Sequence, residues 1–260
     1  MPLLAVDVGN SHTILGLVED GVVLADWRVM TDARRTSDEW PVLLRGLLAE
    51  RWNEVDGIVV CATVPAALHE WRDMLARRLG GLPDVPAVVV EPGVRTGIPV
   101  LMDNPREVGT DRIANALAAA RLHGGPAVVV DFGGTATTFD VVSESGQYVG
   151  GAIAPGIEVS LEALRHGGAQ LRNVEILRPR SVIAKNTVEA LQSGMFFGVA
   201  AQVEGLVARM IEQLDCPPER VNVIATGYLA PLVVEECRCF TVHSPWLTLQ
   251  GLELIYRRNA

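Results

Sequence analysis

The chain has 260 residues, of which 49% are hydrophobic and 20% charged, and its formal net charge at pH 7 is -9. This length accommodates two domains of ordinary size, and the apolar fraction is that of a soluble globular protein. The negative charge argues against a nucleic-acid partner held by overall attraction to phosphates. No basic leader precedes the first apolar run, and no apolar run approaches the roughly 18 residues of a membrane span. We therefore expect a cytoplasmic protein with no membrane partner.

A single lysine limits the nucleotide-binding motifs that the chain can contain. A Walker A loop needs Gly-Lys-Ser/Thr, and a protein-kinase fold needs its own strand lysine. The one lysine, Lys185, is followed by Asn186. Neither motif is therefore present, and ATP would have to be bound in another way. The four cysteines include no CxxC pair and are expected to be structural or incidental thiols.

The first half of the chain predicts a hairpin-rich sheet that continues into alternating helices and strands. In chain order, the predicted strands and helices are β at 3–8, 14–18 and 22–30, α at 37–51, β at 57–61, α at 65–79, β at 87–90 and α at 110–123. Ser37 is the predicted N-cap of the first helix.

The opening pattern returns in the second half. The predicted elements there are β at 127–130, 138–142 and 148–153, α at 155–166 and 187–214, β at 221–225, α at 229–237, β at 240–242 and a last helix from residue 246. When Asp7 is aligned with Asp131, further pairs match: Gly9 with Gly133, Ser11 with Thr135, and Gly21 with the neighbourhood of Gly146. This internal repeat predicts two related α/β domains, at 1–115 and 116–260.

Each predicted domain carries an Asp-x-Gly-x-Ser/Thr turn directly after its first strand. Because glycine lacks a Cβ, the backbone N–H groups of such a turn can approach phosphate oxygens closely. The hydroxyl adds a donor, and the aspartate can face the Mg²⁺ that accompanies ATP, since Mg²⁺ takes few protein carboxylates. The pair of turns predicts a kinase or ATPase that holds a nucleoside triphosphate in a cleft between its domains.

A third feature is the start of the predicted helix at 110–123. Asp111 lies in its first turn, where a carboxylate is electrostatically favoured, and Arg112 follows. These residues alone are compatible with a capping aspartate beside a solvated arginine. They are equally compatible with a carboxylate that accepts a hydroxyl proton beside a guanidinium that grips an anion.

Five strings, in this order and spacing, resemble the type III pantothenate kinases: DVGNSHT, NPREVGTDRIANA, TATTFDVV, GGAIAPG and KNTVEALQSG. The resemblance runs from Leu4 to about Leu252. It implies a duplicated actin-like (ribonuclease H-like) fold, each domain a mixed sheet flanked by helices, in the acetate/sugar kinase, Hsp70 and actin superfamily. It also implies ATP-dependent phosphorylation of pantothenate, the first step of coenzyme A biosynthesis, by a homodimer that uses Mg²⁺ and a monovalent cation (K⁺ or NH₄⁺).

The resemblance also implies roles for individual residues. ATP would be bound by the first turn, comprising Asp7, Val8, Gly9, Asn10, Ser11, His12 and Thr13, and by Thr135 of the second turn. Pantothenate would be bound by Met102, Gly109, Thr110, Asp111, Arg112 and Thr187, with Asp111 as the catalytic proton acceptor. Asp131 would be the ligand of the monovalent cation, and Asp7 would face Mg²⁺ through the phosphates.

Three positions depart from the usual sequence of that family. Gly134 adds a residue to the second turn, Met102 stands where a tyrosine usually lines the pantothenate site, and Tyr228 replaces a glycine of the adenine-side loop. These departures keep two alternatives open: a regulatory relative that binds ATP or pantothenate without catalysis, and a kinase for another small hydroxy acid. The three aspartates favour the enzyme, because a non-catalytic protein has no need of all three carboxylates.

The predicted helix at 187–214 carries a stripe of small residues. Gly194, Gly198, Ala201 and Gly205 are spaced three or four positions apart and therefore share one face. Such a face permits close packing, either inside its own domain or across a dimer interface.

Overall fold

The computed structural model describes residues 2–78, 85–167 and 174–260. The chain forms two compact units, of which the first comprises Met1–Ala118 with Trp246–Ala260 and the second comprises Ala119–Pro245. The change from one unit to the other falls close to the predicted boundary. However, the segment that was predicted to end the second domain packs with the first unit instead.

The elements follow the predicted order. The strands of the described residues are β1 (Leu3–Val8), β2 (His12–Glu19), β3 (Val22–Met30), β4 (Gly57–Ala62), β5 (Ala87–Val89), β6 (Ala127–Asp131), β7 (Ala136–Val142), β8 (Tyr148–Pro155), β9 (Asn222–Thr226) and β10 (Val242–His243). The α-helices are α1 (Glu39–Leu48), α2 (Pro65–Arg77), α3 (Thr110–Ala118), α4 (Ile157–Gly167), α5 (Thr187–Gln213), α6 (Ala230–Val233) and α7 (Leu247–Tyr256). Helix α3 continues into a π-helical stretch, Ala119–His123, so the predicted helix at 110–123 changes type midway.

Each unit contains a five-stranded mixed sheet, and the two sheets have the same topology. The order is β3-β2-β1-β4-β5 in the first unit and β10-β9-β6-β7-β8 in the second, which is the same order read from the opposite edge. A register irregularity falls at equivalent places in the two hairpins, at Leu17/Val18 and at Val141/Val142. The predicted fold, a duplicated pair of mixed sheets flanked by helices, is confirmed.

Helices cover both faces of the first sheet. On one face, Trp40 of α1 and Trp71 of α2 are buried with their ring centroids 4.7 Å apart. They join a core cluster with alternate residues of β1, including Leu4 and Val6. Side chains alternate along a strand, so Asp7 points to the opposite face of the sheet. Helices α3 and α7 pack against that opposite face.

Helix α7 belongs to the first unit because three glycines allow it to approach closely. Leu249 lies against Gly16 of β2, Tyr256 lies against Gly57 of β4, and Gly251 lies against the backbone of Ala114 in α3. A Cβ on any of these glycines would overlap its neighbour. The apolar pattern of the last helix predicts that it is buried but does not identify what it packs against, which is why the domain assignment of this segment needed correction.

Helix α5 is the longest helix in the described part of the chain. Its length and composition pass the test for a membrane-spanning helix, with an 18-residue window of mean hydropathy 1.3. Core helices of globular proteins have the same properties, and Met195, Phe196 and Val203 of α5 are buried in the core of the second unit. Within that window 28% of the residues are fully buried, while Gly194 and Gly198 are exposed.

Ser37 does not cap α1 as predicted. Its backbone N–H donates to Glu70 and its hydroxyl to Asp73, both at 2.7 Å and both on α2. The start of α1 is instead closed by Thr36, whose N–H and hydroxyl donate to the carboxylate of Glu39. Ser37 therefore ties the two helices of this face together.

Candidate active site

The first turn joins β1 to β2 and is held by backbone hydrogen bonds. The Gly9 N–H donates to the His12 carbonyl oxygen at 3.0 Å, and the Ser11 carbonyl oxygen accepts from the N–H of Thr31 at 3.0 Å. Val8 and Thr13 are fully buried, and the Thr13 hydroxyl lies 2.8 Å from that of Thr31. The side chains of these two predicted ATP-binding residues therefore lie in the protein interior. Gly9, Asn10, Ser11 and His12 form the accessible part of the turn.

Cys61 is a hydrogen-bond partner of Asp7, the aspartate of the first turn. The parallel pairing of β1 with β4 places Cys61 opposite Asp7, and the thiol donates to Asp7 Oδ1 at 3.2 Å. Burial raises the pKa of the Cys61 thiol well above its usual value, and the negative charges of Asp7 and Asp111 raise this pKa further. The charges of both carboxylates therefore act on the pKa of this one buried thiol. Sequence analysis missed Cys61, although predicted parallel strands could have suggested this pairing.

Asp111 lies at the start of α3, on the sheet face that Asp7 also faces. Burial raises the pKa of its carboxyl, while the backbone N–H groups of Arg112 and of Asp111 itself and the Arg112 charge act in the opposite direction. Its Oδ1 atom is buried and has no hydrogen-bond partner among the described residues. A buried carboxylate oxygen without a donor is costly, which distinguishes Asp111 from a solvated capping aspartate.

Gly109 leaves room for this carboxylate. A Cβ at Gly109 would overlap Oδ1 of Asp111, whereas the rest of the carboxylate and Arg112 lie at ordinary contact distances, 3.5 and 3.7 Å. The Gly109 carbonyl oxygen accepts from the Ile113 N–H at 3.1 Å in the first turn of α3. Gly109 therefore has a steric role beside a candidate catalytic group.

Gly109→Ala is expected to displace the Asp111 carboxylate and to lower turnover by roughly 10- to 100-fold, because a small misplacement of a reacting group has a large cost. The fold should survive, since the added methyl meets the end of a side chain. Steady-state kinetics and a melting curve test this. The matched control is Gly46→Ala in α1, where no described atom lies within 4 Å of the new methyl group. Wild-type turnover in Gly109→Ala would contradict the steric role.

The second turn follows β6 and is surrounded by backbone. The Phe132 N–H donates to the Thr226 carbonyl oxygen at 2.9 Å, and the Leu229 N–H donates to the Phe132 carbonyl oxygen at 3.3 Å. At Gly227, where φ is +89°, a Cβ would lie 2.5 Å from Asp131 Oδ1 and 2.6 Å from the Phe132 carbonyl carbon. The loop after β9 therefore lies directly against the turn and its aspartate.

The start of α4 closes another side of this turn. The Gly156 N–H donates to the Thr135 carbonyl oxygen at 2.9 Å. A Cβ at Gly156 would overlap the Gly134 carbonyl oxygen and lie 2.8 Å from the Thr135 carbonyl carbon. The string GGAIAPG contains Gly156, but the sequence does not reveal which backbone it contacts.

The remaining assigned residues lie in both units. Met102 is partly exposed in the segment before α3, and Thr187 is exposed as the first residue of α5, with Asn186 as the N-cap of that helix. Asp131, Thr135 and Thr187 belong to the second unit, whereas the other assigned residues belong to the first. Within the described residues, no group of three His, Cys, Asp or Glu side chains could hold a metal ion. Mg²⁺, which takes few protein carboxylates and otherwise phosphate and water oxygens, does not require such a group.

The duplicated sheets, with an aspartate and a glycine turn at the end of the first strand of each, place the chain in the class of proteins with two actin-like domains. Solved structures share the fold: a Baf family transcriptional activator from Campylobacter jejuni (TM-score 0.61, 18% identity, 98% of this chain and 97% of that chain) and MreB5 of Spiroplasma citri bound to ADP (TM-score 0.54, 11% identity, 98% and 96%).

Sequence comparison identifies the family within this class. The profile described as type III pantothenate kinase matches residues 3–209. The type III pantothenate kinase of a Nocardioides species is 73% identical over 260 residues, with 100% of both chains covered, and that of Thermobifida fusca is 60% identical, with 99% of both chains covered. The chain belongs to the type III pantothenate kinase family.

Proposed function

We propose that the chain transfers the γ-phosphoryl group of ATP to the primary hydroxyl of pantothenate, which gives 4'-phosphopantothenate and ADP. The observation that carries this proposal is the buried carboxylate of Asp111, one oxygen of which has no hydrogen-bond partner among the described residues. Family membership supplies the substrate, since the relatives named type III pantothenate kinase match the chain over its full length. As a metabolic enzyme of coenzyme A biosynthesis, it acts in the cytoplasm.

Asp111 accepts the proton of the attacking hydroxyl. Phosphoryl transfer passes through a loose transition state, so positioning the hydroxyl matters more than the strength of the base. Because burial raises the pKa of Asp111, its carboxylate is a better proton acceptor than a solvated aspartate would be. Arg112 binds the pantothenate carboxylate, for which its planar guanidinium is suited. Gly109, Thr110, Met102 and Thr187 complete the pantothenate contacts.

The two turns bind ATP. Backbone N–H groups of the turn after Gly9 and the hydroxyl of Thr135 donate to phosphate oxygens. Mg²⁺, when bound, neutralises charge on the transferred phosphoryl group. Asp7 would face that ion, and the Cys61 thiol donates to one of the two Asp7 oxygens. Asp131, at the end of β6, would supply a carboxylate to a monovalent cation.

Activity is expected to require Mg²⁺ and to rise steeply with K⁺ or NH₄⁺, since the phosphates and the aspartates concentrate negative charge. Asp131→Asn should remove most of the activation by K⁺. The measurement is turnover against K⁺ concentration at constant ionic strength, with Na⁺ as the replacement ion. Full wild-type activity in Na⁺, with K⁺ rigorously absent, would contradict the role of Asp131.

The proposed assembly is a two-fold homodimer formed through the second unit. Gly194, Gly198 and Ala201 are exposed on α5, so the stripe of small residues faces away from the core of its own unit. A face of small residues allows two helices to approach closely, and a self-complementary surface gives a two-fold dimer. Light scattering at micromolar concentration should give the mass of a dimer. A stable monomer would contradict this assembly.

Two other functions remain as outcomes of the activity test. Pantothenate-dependent release of ADP, followed in a coupled assay, distinguishes the enzyme from a regulatory relative that only binds its ligands. A kinase for another hydroxy acid would release ADP with that acid and not with pantothenate.

Met102 stands where the family usually has the phenol of a tyrosine, and one lost hydrogen bond weakens binding by about 2- to 13-fold. The Michaelis constant for pantothenate should therefore fall in Met102→Tyr.

A further inference from the structure

Gly134 of the second turn and Tyr228 of the 226–229 loop are neighbours in the fold. Gly134 has a φ of +113°, a conformation that side-chain-bearing residues rarely adopt. The space where its Cβ would lie faces the hydroxyl end of Tyr228, with the hydroxyl oxygen at 3.1 Å and the adjacent ring carbons at 3.5 and 3.8 Å. The additional residue of the turn and the tyrosine of the 226–229 loop therefore occupy neighbouring positions in the fold.

The Tyr228 hydroxyl is anchored on its other side. It donates to Glu158 Oε2 at 2.6 Å, a short distance typical of a hydrogen bond to a charged acceptor. Glu158 lies in the first turn of α4. The bond therefore links the 226–229 loop to α4 next to the turn between β6 and β7.

These contacts form a closed ring around the turn. Gly156, two residues before Glu158, packs on the carbonyl group of Gly134 and donates to the Thr135 carbonyl oxygen. Gly227, beside Tyr228, packs on Asp131 and Phe132. The start of α4 and the 226–229 loop thus both pack on the turn, and the Tyr228–Glu158 hydrogen bond joins α4 to the loop.

We propose that Tyr228, held by Glu158, is a positioning residue that fixes the Gly133–Gly134 turn in the conformation that receives nucleotide phosphates. This inference rests on the proposed function, in which that turn binds ATP. Tyr228 then acts through its hydroxyl and the turn, not by stacking its ring on adenine. Loss of the hydroxyl bond releases the loop from α4, and the turn samples conformations in which its N–H groups do not converge on phosphate.

The test uses variants that separate the hydroxyl from the ring. Tyr228→Phe keeps the ring and removes the donor, Glu158→Ala removes the acceptor, and Glu158→Gln retains an oxygen that accepts from the hydroxyl. Binding of Mg·ADP and of a non-hydrolysable ATP analogue is measured by calorimetry on the full chain, together with Michaelis constants and melting curves. Tyr256→Phe is the matched control, because it removes a tyrosine hydroxyl from the other unit.

Tyr228→Phe and Glu158→Ala should each weaken nucleotide binding by about threefold to tenfold, the loss expected for one hydrogen bond. The double variant should be no weaker than either single variant, since both remove the same bond. Glu158→Gln should stay within about twofold of wild type. The Michaelis constant for ATP should rise with the dissociation constant, while kcat and melting temperature change little.

Wild-type nucleotide affinity in Tyr228→Phe and Glu158→Ala would overturn the proposal, as would additive losses in the double variant. An equal loss of melting temperature and of every kinetic parameter would also overturn it, because that pattern indicates a general structural role. Wild-type protein that binds nucleotide but releases no ADP with pantothenate contradicts the proposed function alone. The affinity ratios of the variants still decide the role of Tyr228 in that case.

Discussion

Asp111→Asn is expected to lower kcat by roughly 100-fold or more while the protein stays folded. The amide cannot accept the hydroxyl proton, although it has nearly the shape of the carboxylate. Asp111 is buried at the start of α3, and one of its oxygens has no donor among the described residues. The Asp111 side chain therefore contributes little to the stability of the fold, as is expected of a group that serves catalysis.

The same substitution should leave stability at neutral pH unchanged or higher. Burial raises the folded-state pKa of Asp111 above its unfolded value, so the folded protein holds this proton more tightly. The stability from this group is complete below the unfolded pKa and is lost as pH rises through the folded pKa. At pH 7, above the unfolded-state pKa, the raised folded-state pKa of Asp111 therefore costs stability, and asparagine removes that cost.

Melting curves at pH 7 and steady-state kinetics test both statements. Asp215→Asn is the matched control, because Asp215 is exposed and has a φ of +50°, a conformation that asparagine tolerates. Near-normal turnover in Asp111→Asn would show that Asp111 is not the proton acceptor. A strongly lowered melting temperature would show that the carboxylate is structural.

Gly156→Ala is expected to disrupt the second turn. The added methyl would overlap the carbonyl oxygen of Gly134, and the carbonyl carbon of Thr135 lies 2.8 Å from it. Both neighbours are backbone atoms, so the turn or the start of α4 must move. Overpacking of this kind costs about 1–3 kcal/mol, or roughly 2–12 °C in melting temperature for a chain of this size.

The displaced turn should also raise the Michaelis constant for ATP by roughly tenfold or more, because its N–H groups no longer converge on the phosphates. Gly46→Ala again serves as the control, and it should be neutral or stabilising by about 0.5–1 kcal/mol, since alanine is favoured over glycine in a helix. A Gly156→Ala protein with the melting temperature and ATP dependence of wild type would show that this contact does not constrain the turn.

Most of the fold could be predicted because its strands have strong local signals. The run before Asp7 is entirely apolar, as expected of a central strand covered on both faces, and the turn at Asp20-Gly21 has positive φ at both residues. The internal sequence repeat predicted that a second sheet would resemble the first. Long-range packing had no such signal: Gly16 and Gly57 read as ordinary strand glycines, and only the structure shows that α7 lies against them.

The candidate site was predictable where its residues are close in sequence. Asp7, Asp131 and Asp111 each stand beside glycines in short strings, so their chemistry can be inferred locally. Cys61 contacts Asp7 through strand pairing, and Glu158 reaches Tyr228 across 70 positions of sequence. Neither partner stands in a motif. Their roles follow from tertiary packing, which one sequence does not specify.

The most direct test of the proposed function is a coupled assay of ADP release with purified protein, ATP, Mg²⁺ and K⁺, with and without pantothenate. We expect ADP release that depends on pantothenate, forms 4'-phosphopantothenate in equal amount, and falls at least about 100-fold in Asp111→Asn. ADP release that is absent, or that is the same with and without pantothenate, from a protein that is folded and binds ATP, would contradict the proposal that this chain is a pantothenate kinase.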